Sequence, residues 1–247
     1  MNNGYIAVFD SGIGGLSVLK ELIRELPNEK YLYLGDNQNA PYGNKGISEL
    51  KKLTVKNLDY LKHYNIKTLV VACNTLSVNL LSFIKEYSGI ATFGIFPPVE
   101  KYLLTGEKVL LLATKKTAKN FTPTKNFHVL GLNNLVSDIE NNLQNLQMVN
   151  IEENLNNSVG EFVDKKRYYD RVILGCTHYE FIKNKILDHF CPQNISSGAS
   201  FTVNQVKRFF KSNKSLVNHL RFELKFIGAN AKTNQNFWVF GGQKGLK

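Results

Sequence analysis

Cysteine is scarce in this chain, with three in 247 residues, and no two stand at Cys-x-x-Cys spacing. That excludes a secreted disulfide framework and gives little support to a structural zinc site or a thioredoxin-like motif. Long apolar runs are also missing. None approaches the roughly 18 residues of a membrane span, so no membrane association is expected. The opening Met1-Asn2-Asn3-Gly4-Tyr5 lacks the basic region of a secretory signal, and the expected location is the cytoplasm. Acidic residues are few, 20 against 31 Lys and Arg, for a formal charge of +11. Such a charge raises nucleic-acid binding or the collection of a small anion. The lysines come only in short pieces, Lys51-Lys52, Lys115-Lys116 and Lys165-Lys166-Arg167. Without an RNP-type aromatic motif or a helix-turn-helix pattern, they read as surface bias and nucleic acid is not an expected partner.

What is present is a repeated alternation. Short apolar runs occur at Tyr5 to Phe9, Tyr31 to Leu34, Thr68 to Ala72, Ala91 to Ile95, Lys108 to Ala113 and Arg171 to Leu174. They have the length and two-sided apolarity of buried parallel strands. Amphipathic stretches lie between them: Leu16, Leu19, Ile23 and Leu26; Leu50 to Leu61; Asn79 to Tyr87; Val136 to Leu146; and Val203 to Phe210. The pattern predicts an α/β fold of βαβ units. A boundary is expected near Phe96-Pro97-Pro98, with the chain returning late: residues 1–95 plus 208–247 in one domain and 96–207 in the other. Phe237-Trp238-Val239-Phe240 in the tail reads as a possible added strand.

A weak internal repeat carries the chemistry. Leu69-Val70-Val71-Ala72-Cys73-Asn74-Thr75 and Val172-Ile173-Leu174-Gly175-Cys176-Thr177-His178 both read as a buried strand, a small residue, a cysteine and polar residues. Ligands of open α/β sheets bind at the carboxyl ends of the strands, so each cysteine belongs to a functional rim. A single cysteine there is ordinarily a small buried hydrophobe. Its recurrence with polar neighbours favours two thiols facing one cleft. Two thiols on opposite faces of a carbon acid can remove a proton from one side and deliver one to the other, inverting the centre. Asp10 is a proton partner for Cys73, and His178 for Cys176. Cys191, before Pro192, reads as structural.

Two further rims follow strands. Asp10-Ser11-Gly12-Ile13-Gly14-Gly15-Leu16 opens a helix, where glycines allow close backbone approach and Asp10 or Ser11 can also serve simply as a cap. In Gly35-Asp36-Asn37-Gln38-Asn39-Ala40-Pro41-Tyr42-Gly43, Pro41 and Gly43 suit a turn, and the Tyr42 hydroxyl is a candidate to hold a carboxylate.

These segments, with Ala113-Thr114, Thr117 and Leu174 to Tyr179, resemble the glutamate racemases of the aspartate/glutamate racemase superfamily, in the same order and over most of the chain. The resemblance implies two flavodoxin-like domains with parallel sheets, an active site between them, and conversion of L-glutamate to D-glutamate for peptidoglycan without pyridoxal phosphate, other cofactor or metal. It implies that Cys73 deprotonates D-glutamate and Cys176 L-glutamate, assisted by Asp10 and His178. Ser11, Pro41, Tyr42, Gly43, Asn74, Thr75, Thr114, Thr117 and Thr177 are then substrate-binding, Glu153 matches a family glutamate near the second cysteine, and the chain is a homodimer. Leu76 and Glu180 stand where the family often has Ala and Pro. The competing readings are a racemase of another small amino acid such as aspartate, and a basic nucleic-acid-binding protein on a racemase scaffold.

Overall fold

The computed structural model describes residues 4–156, 159–160, 168–216, 222–228, 232 and 235. The chain begins with β1 (Tyr5–Asp10), α1 (Leu16–Glu25), β2 (Lys30–Gly35), α2 (Ile47–Leu61), β3 (Ile66–Val71), α3 (Asn74–Ser88) and β4 (Thr92–Gly94). It then runs through α4 (Val99–Leu103), β5 (Val109–Thr114), α5 (Lys115–Ala118), β6 (Phe127–Leu132), α6 (Leu135–Asn141), α7 (Ile151–Asn156) and β7 (Val159–Gly160). The last elements are β8 (Arg171–Gly175), α8 (Lys183–Phe190), β9 (Asn194–Ser197), α9 (Ala199–Ser212) and β10 (Glu223–Ile227). No helix among the described residues is long and apolar enough to cross a membrane.

The strands form two five-stranded sheets, β10-β2-β1-β3-β4 and β7-β6-β5-β8-β9. Every pairing in the first is parallel. The second departs from an all-parallel expectation at its edge, where the two residues of β7 run antiparallel to β6. The inner strands are buried on both faces, which is why they read as unbroken apolar runs. Helices cover each face. In the first unit Leu16, Leu19 and Leu22 of α1 pack with Val203, Val206 and Phe210 of α9 on one side, and Leu50, Leu58, Leu76 and Leu80 of α2 and α3 fill the other. In the second, Leu135, Val136 and Ile139 of α6 join Ile186 and Phe190 of α8 opposite Val99, Tyr102 and Ala118.

The chain returns to the first sheet between β9 and α9. A domain boundary at 207/208 falls inside α9, whose apolar face starts at Ala199 and lies wholly on the first unit. Gly198 sits at this crossing, where a Cβ would strike the Phe96 carbonyl of the outward crossing. Leu143 and Phe181 pack against core residues of both units. The helix expected to reach Leu146 stops at Asn141 because the Asn142 amide turns back onto the Asp138 carbonyl and carboxylate, competing with the helical pattern. The tail from 236 onward and the basic stretch 165–167 lie outside the described residues.

Candidate active site

Both cysteines end a buried central strand. Cys73 follows β3 and is the residue ahead of α3; Cys176 follows β8 and precedes a 3₁₀ turn, Thr177–Ile182. Both are buried free thiols. The β1 carboxyl end lies beside β3, and this brings Asp10 and Ser11 to Cys73. The Cys73 thiol lies 3.6 Å from Ser11 Oγ. Burial pushes its pKa up to about 12, with the Asp10 charge next in importance and Cys176 adding a smaller push the same way. Asp10 is wholly buried. Its Oδ2 accepts hydrogen bonds from the backbone N–H groups of Gly15 (2.8 Å) and Gly12 (3.3 Å), while Oδ1 has no hydrogen-bond partner. Burial raises the Asp10 pKa, and a nearby His178 charge and those backbone donors offset only part of this. One Asp10 oxygen thus braces the glycine turn ahead of α1, whose N-cap is Gly15, and the other is left over.

The second thiol has a different company. His178 Nδ1 is 3.9 Å from Cys176 Sγ, and its Nε2 is 2.7 Å from Glu140 Oε1 on α6. Burial works against the imidazolium, but the hydrogen bonds and charges of Cys176 and Glu140 outweigh it and hold the His178 pKa well above its ordinary value. For Glu140 burial raises the pKa, yet the bond and charge of His178 and the donors Ile13 N–H and Asn37 bring it below the usual carboxylate range. Glu140 therefore joins the two units: it belongs to the second and is held by two donors of the first.

Glu140 is the residue that sequence reasoning missed. Glu153, expected near the second cysteine, is exposed on α7 and exchanges hydrogen bonds with Asn150 instead. A signal was available, since Glu140 stands one helical turn after Val136 and beside Ile139, on the margin of the buried face of α6.

The glycine turn explains how closely the units meet. A Cβ at Gly12 would run into Glu140 Oε1, and one at Gly14 into the His178 ring, Thr177 Oγ1 and the His178 backbone nitrogen. Across the cleft, Thr75 Oγ1 lies 3.0 Å from Thr114 Oγ1 and 3.2 Å from Thr117 Oγ1, with 3.1 Å between the latter two. All three hydroxyls are buried, as are Asn74 and Thr177. Asn74 donates to the Ile95 carbonyl at 3.4 Å and leaves its own Oδ1 without a partner. Gly43 rests on the Thr114 side chain with no room for a Cβ. Pro41 follows a cis peptide bond in the same loop. The Tyr42 hydroxyl is not free to hold a carboxylate, because it donates to Asp36 Oδ2 at 2.6 Å, and Asn57 donates to the same oxygen. Tyr42 braces the loop that carries Gly43. Leu76 is buried in the first core and Glu180 is half-buried. Cys191 is exposed in a left-handed conformation at the end of α8, where it caps the helix.

Two α/β units meet at strand ends that each carry a buried cysteine, and the relatives of this chain set it among the isomerases that act on amino acids. A solved glutamate racemase from Bacillus anthracis superposes with a TM-score of 0.78 at 25% identity, covering 98% of this chain and 95% of that one. Curated glutamate racemases from Clostridium novyi and Clostridium botulinum (strain Alaska E43) are 37% and 36% identical over 228 and 232 residues, covering 85% and 87% of this chain and the same shares of their own. The chain belongs to the glutamate racemase family. No family model matches it.

Proposed function

We propose that this chain interconverts L- and D-glutamate by proton transfer between Cys73 and Cys176, supplying D-glutamate for peptidoglycan as the family does. One observation carries the assignment of roles: each thiol ends a strand of a different sheet and has its own proton partner, Asp10 with Ser11 for Cys73 and His178 with Glu140 for Cys176. In the L-to-D direction the Cys176 thiolate takes the α-proton, with His178 having accepted the thiol hydrogen. Cys73, kept protonated by burial and by Asp10, delivers its hydrogen to the opposite face. The reverse direction exchanges the roles, and each thiol is reset through its own partner. The buried hydroxyls of Thr75, Thr114, Thr117 and Thr177, with Ser11 and Asn74, are suited to the substrate's carboxylates and ammonium. The unpartnered Asp10 and Asn74 oxygens are acceptors suited to the ammonium. The reading includes a cytoplasmic location, tested by cell fractionation, and a homodimer, tested by sedimentation of the purified protein.

The experiment is circular dichroism of L- and D-glutamate with chelator-treated protein and no added cofactor, with L-aspartate in parallel. Decay of both glutamate signals toward zero is the expected outcome. Turnover of aspartate alone would keep the chemistry and change the substrate, and no turnover by folded, reduced protein would overturn the reading.

A further inference from the structure

A cavity of about 710 Å³ opens beside the buried site, between the loop after β2 and the ends of β5 and β6. Gly43 forms part of its wall and is also the glycine that rests on Thr114; Lys115, the next residue after Thr114, forms another part. The cavity therefore begins where the threonine cluster ends. Four of its lining side chains are lysines, Lys45, Lys115, Lys116 and Lys119, and none is acidic. Lys45 has a counter-ion, Glu49 at 2.8 Å. Lys115, Lys116 and Lys119 have none among the described residues, and Lys115 and Lys116 are half-buried. The remaining polar lining is neutral amide, from Asn44, Asn133 and Asn134.

Three ammonium groups without counter-ions around one concavity repel each other, and that repulsion is relieved when an anion enters. A concave wall of one sign also focuses the field and raises the local concentration of counter-charge, accelerating capture. The substrate-binding residues inward of this wall are each less than a tenth exposed, so a substrate must be gathered before it is enclosed. We infer that this cavity is an anion-collecting vestibule that binds a small dicarboxylate through Lys115, Lys116 and Lys119 before it passes to the thiols. The inference rests on the proposed racemisation for its substrate, but not for the anion site itself.

The test is the triple variant Lys115→Gln, Lys116→Gln, Lys119→Gln, which leaves Lys45 and its partner in place. In wild type, kcat/KM for glutamate should fall as salt rises and the Debye length shrinks from about 30 Å at 0.01 M to about 10 Å at 0.1 M. In the variant it should be roughly 5- to 20-fold lower at low salt, almost entirely through KM, and nearly flat with salt. Unchanged kcat/KM and unchanged salt dependence would overturn the vestibule, as would a loss confined to kcat. Titration calorimetry with inorganic pyrophosphate reads the site without turnover: wild type should bind it and the triple variant at least 10-fold more weakly. If wild type binds pyrophosphate through these lysines yet fails to racemise, the anion site stands and the reaction is wrong. If it racemises and the lysines affect neither measurement, the vestibule alone falls.

Discussion

The two thiols occupy equivalent strand ends, yet their surroundings have opposite electrical character. Cys73 is flanked by a carboxylate and a hydroxyl, and the pKa of its thiol is driven up to about 12. Cys176 is flanked by an imidazole whose proton is held by a second carboxylate. One thiol is held in its protonated form and the other has an imidazole beside it, so under the proposed mechanism the two sides are suited to different tasks. The same strand-end motif occurs in both units, and its neighbours make the two copies different. The contribution of each unit is not local to it, because Glu140, which supports the Cys176 side, is held by Ile13 and Asn37 of the Cys73 side.

The strongest way to break this comparison is to remove one sulfur at a time. Cys73→Ser and Cys176→Ser should each reduce racemisation by at least about 1,000-fold, since proton transfer at one face is lost and a serine hydroxyl is a far weaker acid. Solvent deuterium should still enter L-glutamate in the Cys73 variant and D-glutamate in the Cys176 variant, read by NMR. Full racemisation by either variant would end the two-thiol account. Next in size, Glu140→Gln removes the carboxylate that holds the His178 proton. We expect kcat/KM to drop about 10- to 100-fold, equally for the two enantiomers because their equilibrium constant is one. Glu140 titrates below and His178 above its ordinary value, so the ion pair stabilises the fold in a window that is full between about pH 4.3 and about pH 6.5 and fades as pH falls through the lowered Glu140 pKa or rises through the raised His178 pKa. The Tm deficit of the variant should be confined to that window, and its His178-dependent limb should move to lower pH.

A smaller effect of opposite sign is expected at Asp10. Its raised pKa means that the fold disfavours the ionised form, a cost that is fully present above that pKa and disappears as pH falls to the ordinary carboxylate range. Asp10→Asn should therefore be more stable than wild type at neutral pH, by about 1–2 kcal/mol or roughly 2–8 °C in Tm, while losing activity. Below about pH 4 the stability advantage should vanish in thermal melts. Smallest of all, Glu153→Ala and Cys191→Ser lie on exposed surface and should leave kcat/KM within about twofold of wild type.

The parts of this arrangement that were legible in the sequence are those encoded by neighbours in the chain. The runs that became β1, β3, β5 and β8 are apolar on both faces, and the cysteine, asparagine and threonine after β3 follow within four residues. β9 and β10 were not legible, because these edge strands carry polar residues such as Asn194, Ser196 and Lys225 that a buried strand would not. The Glu140–His178 pair spans 38 residues of chain and depends on how α6 lies against the 3₁₀ turn, a tertiary fact that local pattern does not encode. Tyr42 lies in the loop after β2, but it is buried in the first core and its hydroxyl is taken by Asp36, six residues back.

The strand order has a consequence for how the molecule is made. β2 pairs on one side with β1, which precedes it closely, and on the other with β10, whose register runs Glu223 to Lys30 and onward. Everything in the second sheet lies between those partners in the chain. On a ribosome the second unit can complete its sheet while the first still has an open edge at β2, waiting for a strand synthesised nearly two hundred residues later. The nascent first unit is thus the vulnerable one, presenting an unpaired backbone edge until the chain comes back.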